Sequence, residues 1–263
     1  MPRIARDGAQ VWWDERGSGE PVLLVQGLGY PCDMWHLLLP ELARRHRVLV
    51  LDNRGVGRTG VPPGPYPVEV MAADAAAVLE AAGETSAHVV GVSMGGLIAQ
   101  ELALGRPELV RSLALGCTHP GGADSVFSPE AGELLGGRAA MTPEEAAEAS
   151  VPFVYAPTTP RERIDTDLAV RRAVPTWPAG YLAQLTGSAA YAGALSRLPG
   201  LGMPVLLVHG TADRLVPVEN TRILARALPA ARLELLEGAG HIFWTDQPRE
   251  TLRLLLEWFA TAA

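Results

Sequence analysis

The stretch Ala87-His88-Val89-Val90-Gly91-Val92-Ser93-Met94-Gly95-Gly96 decides the fold class. Its first six residues form a mostly apolar run that is typical of a buried strand, and a helical pattern follows at 95–104. Gly91 and Gly95 stand two residues before and after Ser93, as in a sharp strand-to-helix turn that has no space for larger side chains. We therefore predict that Ser93 is a nucleophile at a sheet edge, above a helix N-terminus.

Similar apolar runs recur on both sides of this stretch and alternate with helical patterns. Continuous apolar strands favour a parallel sheet that is buried on both faces, and the alternation favours right-handed crossovers. The sequence therefore predicts an α/β protein with a doubly wound, mostly parallel sheet. The other predicted parallel strands are 22–25, 48–51, 113–115, 205–208 and 233–236, and 9–15 is expected to add an antiparallel strand. The other predicted helices of this core are 70–82, 217–227 and 247–259.

The alternation stops between residues 121 and 201, where prolines and aromatic residues are frequent. We interpret 121–201 as a helical lid inserted into a single core domain that is formed by 1–120 and 202–263. The segment leaves and rejoins the sheet at the edge where the strand C-termini open into a crevice, so we expect it to cover Ser93. Helices are predicted within it at 142–150, with Thr142 as the N-cap, and at 180–190.

The aromatic residues of the lid need apolar surface to pack against, and the crevice above Ser93 can supply it. We therefore expect a mostly apolar pocket with a few polar groups, the usual form of a small-molecule site. Phe153, Trp177 and Tyr181 are the candidates for substrate contact. A closed roof favours compact, uncharged acyl substrates over peptides or polymers.

A serine hydroxyl needs a base, and the base needs an acid that orients it. His241 lies in a glycine-rich loop after the last predicted strand, at the same sheet edge as Ser93. Asp213 lies just past the strand at 205–208. The chain order is then Ser, Asp, His, which is the order found in serine hydrolases whose nucleophile lies at such a strand-to-helix turn. We predict Ser93, His241 and Asp213 as nucleophile, general base and orienting acid.

Other histidines and carboxylates fit these roles less well. His88 lies inside the strand that leads to Ser93, and His209 ends a strand where a structural role is expected. His119 follows a strand end and is the more serious rival. Asp246 is too close to His241 in sequence and is expected to cap the last helix.

Two backbone N–H groups should stabilise the oxyanion that forms when the serine attacks a carbonyl. One is that of Met94, the residue after the nucleophile. The other is expected from Gln26-Gly27-Leu28-Gly29, after the first parallel strand, with Leu28 as the donor.

The composition excludes several other classes of protein. The formal net charge is −7, with 22 basic and 29 acidic residues, and no basic stretch indicates nucleic-acid binding. No apolar stretch approaches the roughly 18 residues of a membrane span, and Met1 to Asp14 has no signal-peptide core, so a cytoplasmic protein is expected. Cys32 and Cys117 fit no metal or redox spacing. We expect no metal and no organic cofactor, and the sequence gives no indication of the oligomeric state.

These motifs resemble those of the α/β-hydrolase fold proteins. The resemblance rests on Gln26-Gly27-Leu28-Gly29, Asp52-Asn53-Arg54-Gly55, Gly91–Gly96, Asp213 and Gly240-His241, and it covers the chain except the lid. It implies a serine hydrolase that acts on small-molecule acyl substrates.

Within that family, residues 63–111 look most like 3-oxoadipate enol-lactonases and related esterases, although those proteins usually carry His where this chain has Gln26. The resemblance implies hydrolysis of an ester or lactone of a small, mostly apolar acyl compound through an acyl-enzyme on Ser93. A C–C bond hydrolase or thioesterase with the same three residues is an alternative. A non-hydrolytic ligand-binding or tailoring protein on this scaffold is another, which an incomplete triad would favour.

Overall fold

The computed structural model describes residues 2–174 and 176–262, and its centre is an eight-stranded sheet with the order β1-β2-β4-β3-β5-β6-β7-β8. Strands β3 to β8 pair in parallel, whereas β1 and β2 are antiparallel to their neighbours. This confirms the predicted fold class. The strands are β1 (Arg3–Arg6), β2 (Ala9–Arg16), β3 (Glu20–Val25), β4 (His46–Leu51), β5 (Ala87–Val92), β6 (Val110–Gly116), β7 (Val205–Gly210) and β8 (Arg232–Leu236).

Helices cover both faces of the sheet, so the apolar runs of the central strands are buried on both sides. Val22, Leu23, Leu24 and Val25 in β3 are completely buried, as the continuous apolar pattern predicts. The α-helices are α1 (Leu39–Leu42), α2 (Val68–Ala81), α3 (Met94–Gly105), α4 (Pro129–Gly137), α5 (Pro143–Val154), α6 (Arg161–Ala173), α7 (Pro178–Ala189), α8 (Glu219–Ala227), α9 (Phe243–Asp246) and α10 (Pro248–Thr261). Among the described helices, none is long and apolar enough to cross a membrane.

The segment 121–201 contains four of these helices, α4 to α7. The predicted cap of α5 is present as a capping box, since the Glu145 N–H donates to the Thr142 hydroxyl and the Glu145 carboxylate accepts from the Thr142 N–H. Helix α6 was not predicted, because its sequence is strongly polar and only a narrow face, with Ile164 and Leu168, is buried.

Helix α7 is tied to two loops of the core by the side chain of Gln184, which is completely buried. Its carbonyl oxygen accepts the Gly29 N–H at 2.8 Å, and its amide donates to the Arg54 carbonyl at 2.6 Å. The two loops follow β3 and β4, so the helical segment and the C-terminal edge of the sheet share hydrogen bonds.

The loop after β4 is fixed by a buried ion pair between Arg54 and Asp74 of α2. Both side chains are 3% exposed, and Nη2 of Arg54 lies 2.8 Å from Oδ1 of Asp74. Arg54 also donates to the carbonyl groups of Arg6 and Asp7, and Asp74 accepts from Arg6. The pair therefore connects the first turn of the chain, the β4 loop and α2.

Replacement of Arg54 by Met should lower the free energy of unfolding by about 3–5 kcal/mol, because the Asp74 carboxylate is then buried without its main partner. Chemical denaturation of wild type and variant measures the difference. Arg253→Met removes an arginine of an exposed ion pair and should change it by less than about 1 kcal/mol. An Arg54→Met protein as stable as the Arg253→Met control would show that the buried pair does not hold the loop.

Candidate active site

Ser93 lies at the turn between β5 and α3 with a strained backbone, φ +54° and ψ −124°. The Ser93 N–H donates to the Gly116 carbonyl at 2.9 Å, and its carbonyl accepts from the Thr118 hydroxyl at 2.7 Å. A Cβ at Gly91 would lie 2.2 Å from the Gly95 carbonyl oxygen, so the turn admits only glycine there. These contacts explain how a non-glycine residue is kept in the left-handed region.

His241 and Asp213 come from loops at the same edge of the sheet and form a hydrogen bond. Asp213 follows the end of β7 and His241 follows β8. His241 Nδ1 lies 2.7 Å from Asp213 Oδ2, and both residues are buried. This contact fixes the orientation of the imidazole and leaves Nε2 as the nitrogen that can exchange a proton.

The Asp213 carboxylate is surrounded by hydrogen-bond donors and stays ionised. Its Oδ1 accepts the N–H groups of Leu215 and Val216, each at 2.9 Å. Burial alone would raise the pKa of Asp213, but His241 and His209 together hold it well below its usual range. A negative charge next to His241 stabilises the imidazolium that forms when that residue takes a proton.

His209 has the structural role expected for it, and it also acts on Asp213. Its Nε2 lies 2.8 Å from the Val216 carbonyl and 3.2 Å from Asp213 Oδ2, and its Nδ1 lies 2.5 Å from the Thr221 hydroxyl. The contact with Asp213 was not anticipated from the sequence, in which a strand-terminal His gives no indication of its partner. His209 is thus a positioning residue for the acid.

Ser93 and His241 both line a cavity of about 420 Å³. Leu28 and Met94, the two predicted oxyanion donors, line it as well. Most of the wall is apolar and comes from both the core and the 121–201 segment. The other lining residues are Tyr30, Leu97, His119, Phe127, Gly132, Leu135, Gly136, Arg138, Leu185, Ser188, Ala189, Leu215 and Val216.

The loop after β3 approaches Ser93 closely. A Cβ at Gly27 would lie 2.9 Å from the Ser93 Cβ, so this position also has no room for a side chain. Within the described residues, no hydrogen bond uses the Leu28 N–H, and the Met94 N–H is at the first position of α3, where the helix itself offers no acceptor. Both N–H groups are therefore available to a ligand.

The Asp52-Asn53-Arg54-Gly55 motif supports this loop, a role that the sequence did not reveal. The Asn53 side-chain amide donates to the Gln26 carbonyl at 2.9 Å, and Asp52 accepts the Cys32 N–H at 3.0 Å. The Gln26 side chain is buried, and its Nε2 has no hydrogen-bond partner within the described part of the chain. The Gln26 side chain thus has one hydrogen-bond donor without an acceptor at the start of the loop.

None of the three aromatic residues predicted to contact substrate lines this cavity. Trp177 is 48% exposed. Phe153 packs under the guanidinium of Arg214 at 5.2 Å, and Tyr181 is buried beside a second cavity of about 170 Å³. The aromatic content indicated a pocket, but helical faces in an irregular segment could not be oriented without the fold. Tyr30 and Phe127 line the Ser93 cavity instead.

His119, the rival base, does lie in the Ser93 cavity. Burial and then the charge of His241 lower the pKa of His119 to about 4, so its ring is neutral at pH 7. The Gly121 N–H donates to His119 Nδ1 at 3.2 Å, which leaves the proton of the neutral ring on Nε2. No carboxylate contacts this ring in the described residues, so His119 lacks the acid that a catalytic base needs.

Asp246 does not cap the last helix, which begins after Gln247 without a side-chain cap. Its carboxylate accepts the N–H groups of Gly240 at 2.6 Å and Ala156 at 3.2 Å, and the hydroxyl of Thr159 at 2.5 Å. The close spacing between Asp246 and His241 serves this contact, which links the His241 loop to the chain after α5.

Among the described residues, two groups of side chains have potential metal-ligand atoms within 4.8 Å of one another. They are Cys117, His209 and Asp213, and Cys32, Asp33 and Asp52. Burial raises the pKa of each cysteine well above its usual value, which keeps the thiols protonated. Asp213 already faces His241, and Arg58 pairs with Asp33 and Asp52. Neither group fits a divalent cation.

A family model for the alpha/beta hydrolase fold matches residues 20–248 of the chain. The chain belongs to the α/β-hydrolase fold family. A putative carbamate hydrolase, RutD, of Azorhizobium caulinodans is 33% identical over 262 residues, which cover 97% of each protein.

Solved structures of α/β-hydrolase proteins are similar over nearly the whole chain. A thermophilic esterase from Thermogutta terrifontis superposes with a TM-score of 0.86 at 28% identity, over 100% of this chain and 97% of that one. The enol-lactonase from Burkholderia xenovorans LB400 has a TM-score of 0.86 at 25% identity, over 98% and 100% of the two chains. The resemblance read from the motifs is thereby confirmed at the level of the family.

Asp213→Asn should lower turnover of an ester by roughly 10³- to 10⁴-fold, because the amide cannot stabilise the imidazolium and favours the wrong tautomer of His241. Steady-state kinetics with 4-nitrophenyl butyrate measure the loss. Asp124→Asn, the same change at an exposed turn, is the control and should keep full activity. Near-normal rates in Asp213→Asn would assign the acid to another residue.

Proposed function

We propose that this chain is a serine hydrolase that cleaves an ester or lactone of a small, mostly apolar acyl compound. The proposal rests above all on one observation: a strained serine and a carboxylate-oriented histidine line the same apolar cavity. The names of its relatives, which include a carbamate hydrolase, an esterase and an enol-lactonase, support an ester-acting hydrolase.

In the proposed reaction Ser93 Oγ attacks the carbonyl carbon while His241 Nε2 takes the hydroxyl proton. Asp213 holds the imidazole through Nδ1 and remains ionised. The N–H groups of Leu28 and Met94 stabilise the oxyanion. His241 then returns the proton to the leaving alcohol, which departs from an acyl-enzyme on Ser93. A water molecule, deprotonated by His241, releases the acid and regenerates the serine.

The segment 121–201 acts in this proposal as a lid that selects the acyl group. It contributes Phe127, Leu135 and Leu185 to the cavity wall, opposite the core residues that carry the chemistry. The mostly apolar wall favours hydrocarbon chains, and the limited volume favours small compounds. Residues 1–120 and 202–263 form the catalytic core in this proposal.

Ser93→Ala should abolish turnover of 4-nitrophenyl butyrate, because the variant lacks the hydroxyl on which the proposed acyl-enzyme forms. The thermal midpoint should stay within a few degrees of wild type, since the hydroxyl is not a packing group. Wild type should show a burst of 4-nitrophenol if deacylation is slower than acylation. Activity of the variant within tenfold of wild type would mean that another nucleophile is at work.

Gly132→Leu should make the enzyme more selective for short acyl chains. Gly132 lies in α4 on the cavity wall, and a Cβ there meets no atom within 4 Å, so a leucine side chain can extend into the cavity. The ratio of kcat/KM for 4-nitrophenyl octanoate to that for the acetate should fall by about tenfold or more. Gly200→Leu, another open position outside the cavity, is the control. An unchanged ratio in Gly132→Leu would place the acyl group outside this cavity.

A further inference from the structure

One charged side chain, that of Arg138, contributes to the wall of the cavity above Ser93. The same arginine also lines the second cavity, together with Arg171, Arg172 and the exposed Glu144. Arg138 follows the end of α4 within the 121–201 segment. A permanent positive charge in a mostly apolar pocket calls for a physical reason.

Arg138 has no carboxylate partner in the described part of the chain. Its guanidinium carbon lies 4.7 Å from the ring centroid of Tyr181, and its buried Nε makes no hydrogen bond. Burial lowers the pKa of Arg138, and the other groups that act on it are Tyr181, Tyr30 and Arg171, among which there is no carboxylate.

Two other arginines with buried or half-buried side chains are neutralised by carboxylates. Arg54 pairs with Asp74, and Arg58 pairs with Asp52. Arg138 departs from this pattern. A guanidinium cannot discard its proton in a protein, so it stays charged even where burial opposes the charge.

Arg171 increases the positive potential around Arg138. Its guanidinium carbon lies 4.8 Å from the ring centroid of Tyr30, and its side chain donates to the Ser150 hydroxyl at 3.3 Å. The nearby carboxylate of Asp167 is already engaged by His36, Tyr155 and Thr245. The described residues around Arg138 therefore offer it aromatic faces and a second cation.

We propose that Arg138 binds a free carboxylate at the end of the acyl substrate that is remote from the reacting carbonyl. The substrate class is then a half-ester of a dicarboxylic acid. A guanidinium is suited to this partner because it can form two parallel hydrogen bonds with the two oxygens. The inference rests on the proposed hydrolase function, and it replaces the expectation of an uncharged substrate.

The experiment must distinguish carboxylate binding by Arg138 from a purely structural role in which Arg138 only packs on the ring of Tyr181. Methyl half-esters of glutaric, adipic, pimelic and suberic acid are compared with the methyl esters of the matching terminal amides. Acid and amide have nearly the same shape and length, so their ratio of kcat/KM isolates the charge. Released methanol reports turnover.

At the best chain length, wild type should prefer the acid over the amide by roughly tenfold or more. Arg138→Met should bring the ratio close to one, and Arg138→Lys should keep part of the preference because it keeps the charge but not the planar fork. Arg226→Met, which removes an exposed arginine that lines neither cavity, should leave the ratio unchanged. Equal use of acid and amide by wild type, or an undiminished preference in Arg138→Met, would overturn the proposal.

Binding to Ser93→Ala separates this inference from the proposed function, because it does not depend on turnover. Calorimetry with that variant should show the half-ester binding roughly tenfold more tightly than the amide, and Arg138→Met in the same background should remove the difference. If wild type hydrolyses 4-nitrophenyl butyrate while both compounds bind alike, the carboxylate proposal fails and the hydrolase proposal stands. If the acid binds selectively but Ser93→Ala retains full esterase activity, the catalytic proposal fails instead.

Discussion

Strand β5 and helix α3 approach each other so closely at Ser93 that neither Gly91 nor Gly95 could carry a side chain. A Cβ at Gly95 would lie 2.3 Å from the Val25 carbonyl oxygen, so the same turn also sets the distance to β3. Because β3, β5 and β6 are parallel neighbours, their following loops open at one edge. The loop after β3, Ser93 and the start of α3 therefore meet there, and Ser93 has a positive φ at this crowded turn.

Charge is distributed around this edge in two contrasting ways. The buried Asp213 carboxylate has four partners, which are His241, His209 and two backbone N–H groups. It acts on His241 while it stays ionised. Arg138 is the opposite case, since it lines the cavity and has no carboxylate partner among the described residues. A charge that already has partners in the protein orients neighbouring groups. A charge without such partners leaves interaction free energy available for a ligand.

The sequence predicted the sheet, the strand positions and the family because long apolar runs and glycine-flanked turns are local patterns. It also placed Asp213 and His241 at one edge, since parallel topology brings strand C-termini together. β1 was missed because Arg3–Arg6 is short and only half-buried. The residues of 121–201 that line the cavity were missed because tertiary contacts, such as those of Gln184, set the orientation of α4 to α7, and the local sequence pattern does not record such contacts. For the same reason Arg138 gave no signal in the sequence.

The central claim is that Ser93 becomes covalently acylated, and the mass of the peptide that contains Ser93 tests it most directly. Wild type is mixed with 4-nitrophenyl butyrate, quenched in acid within the burst phase, digested and analysed by mass spectrometry. A butyryl group is expected on the peptide that contains Ser93, and the corresponding peptide of Ser93→Ala treated in the same way should lack it. An adduct on any other residue would contradict this claim. So would rapid hydrolysis by wild type if, under conditions that trap a burst, its peptides carry no adduct, like those of the variant.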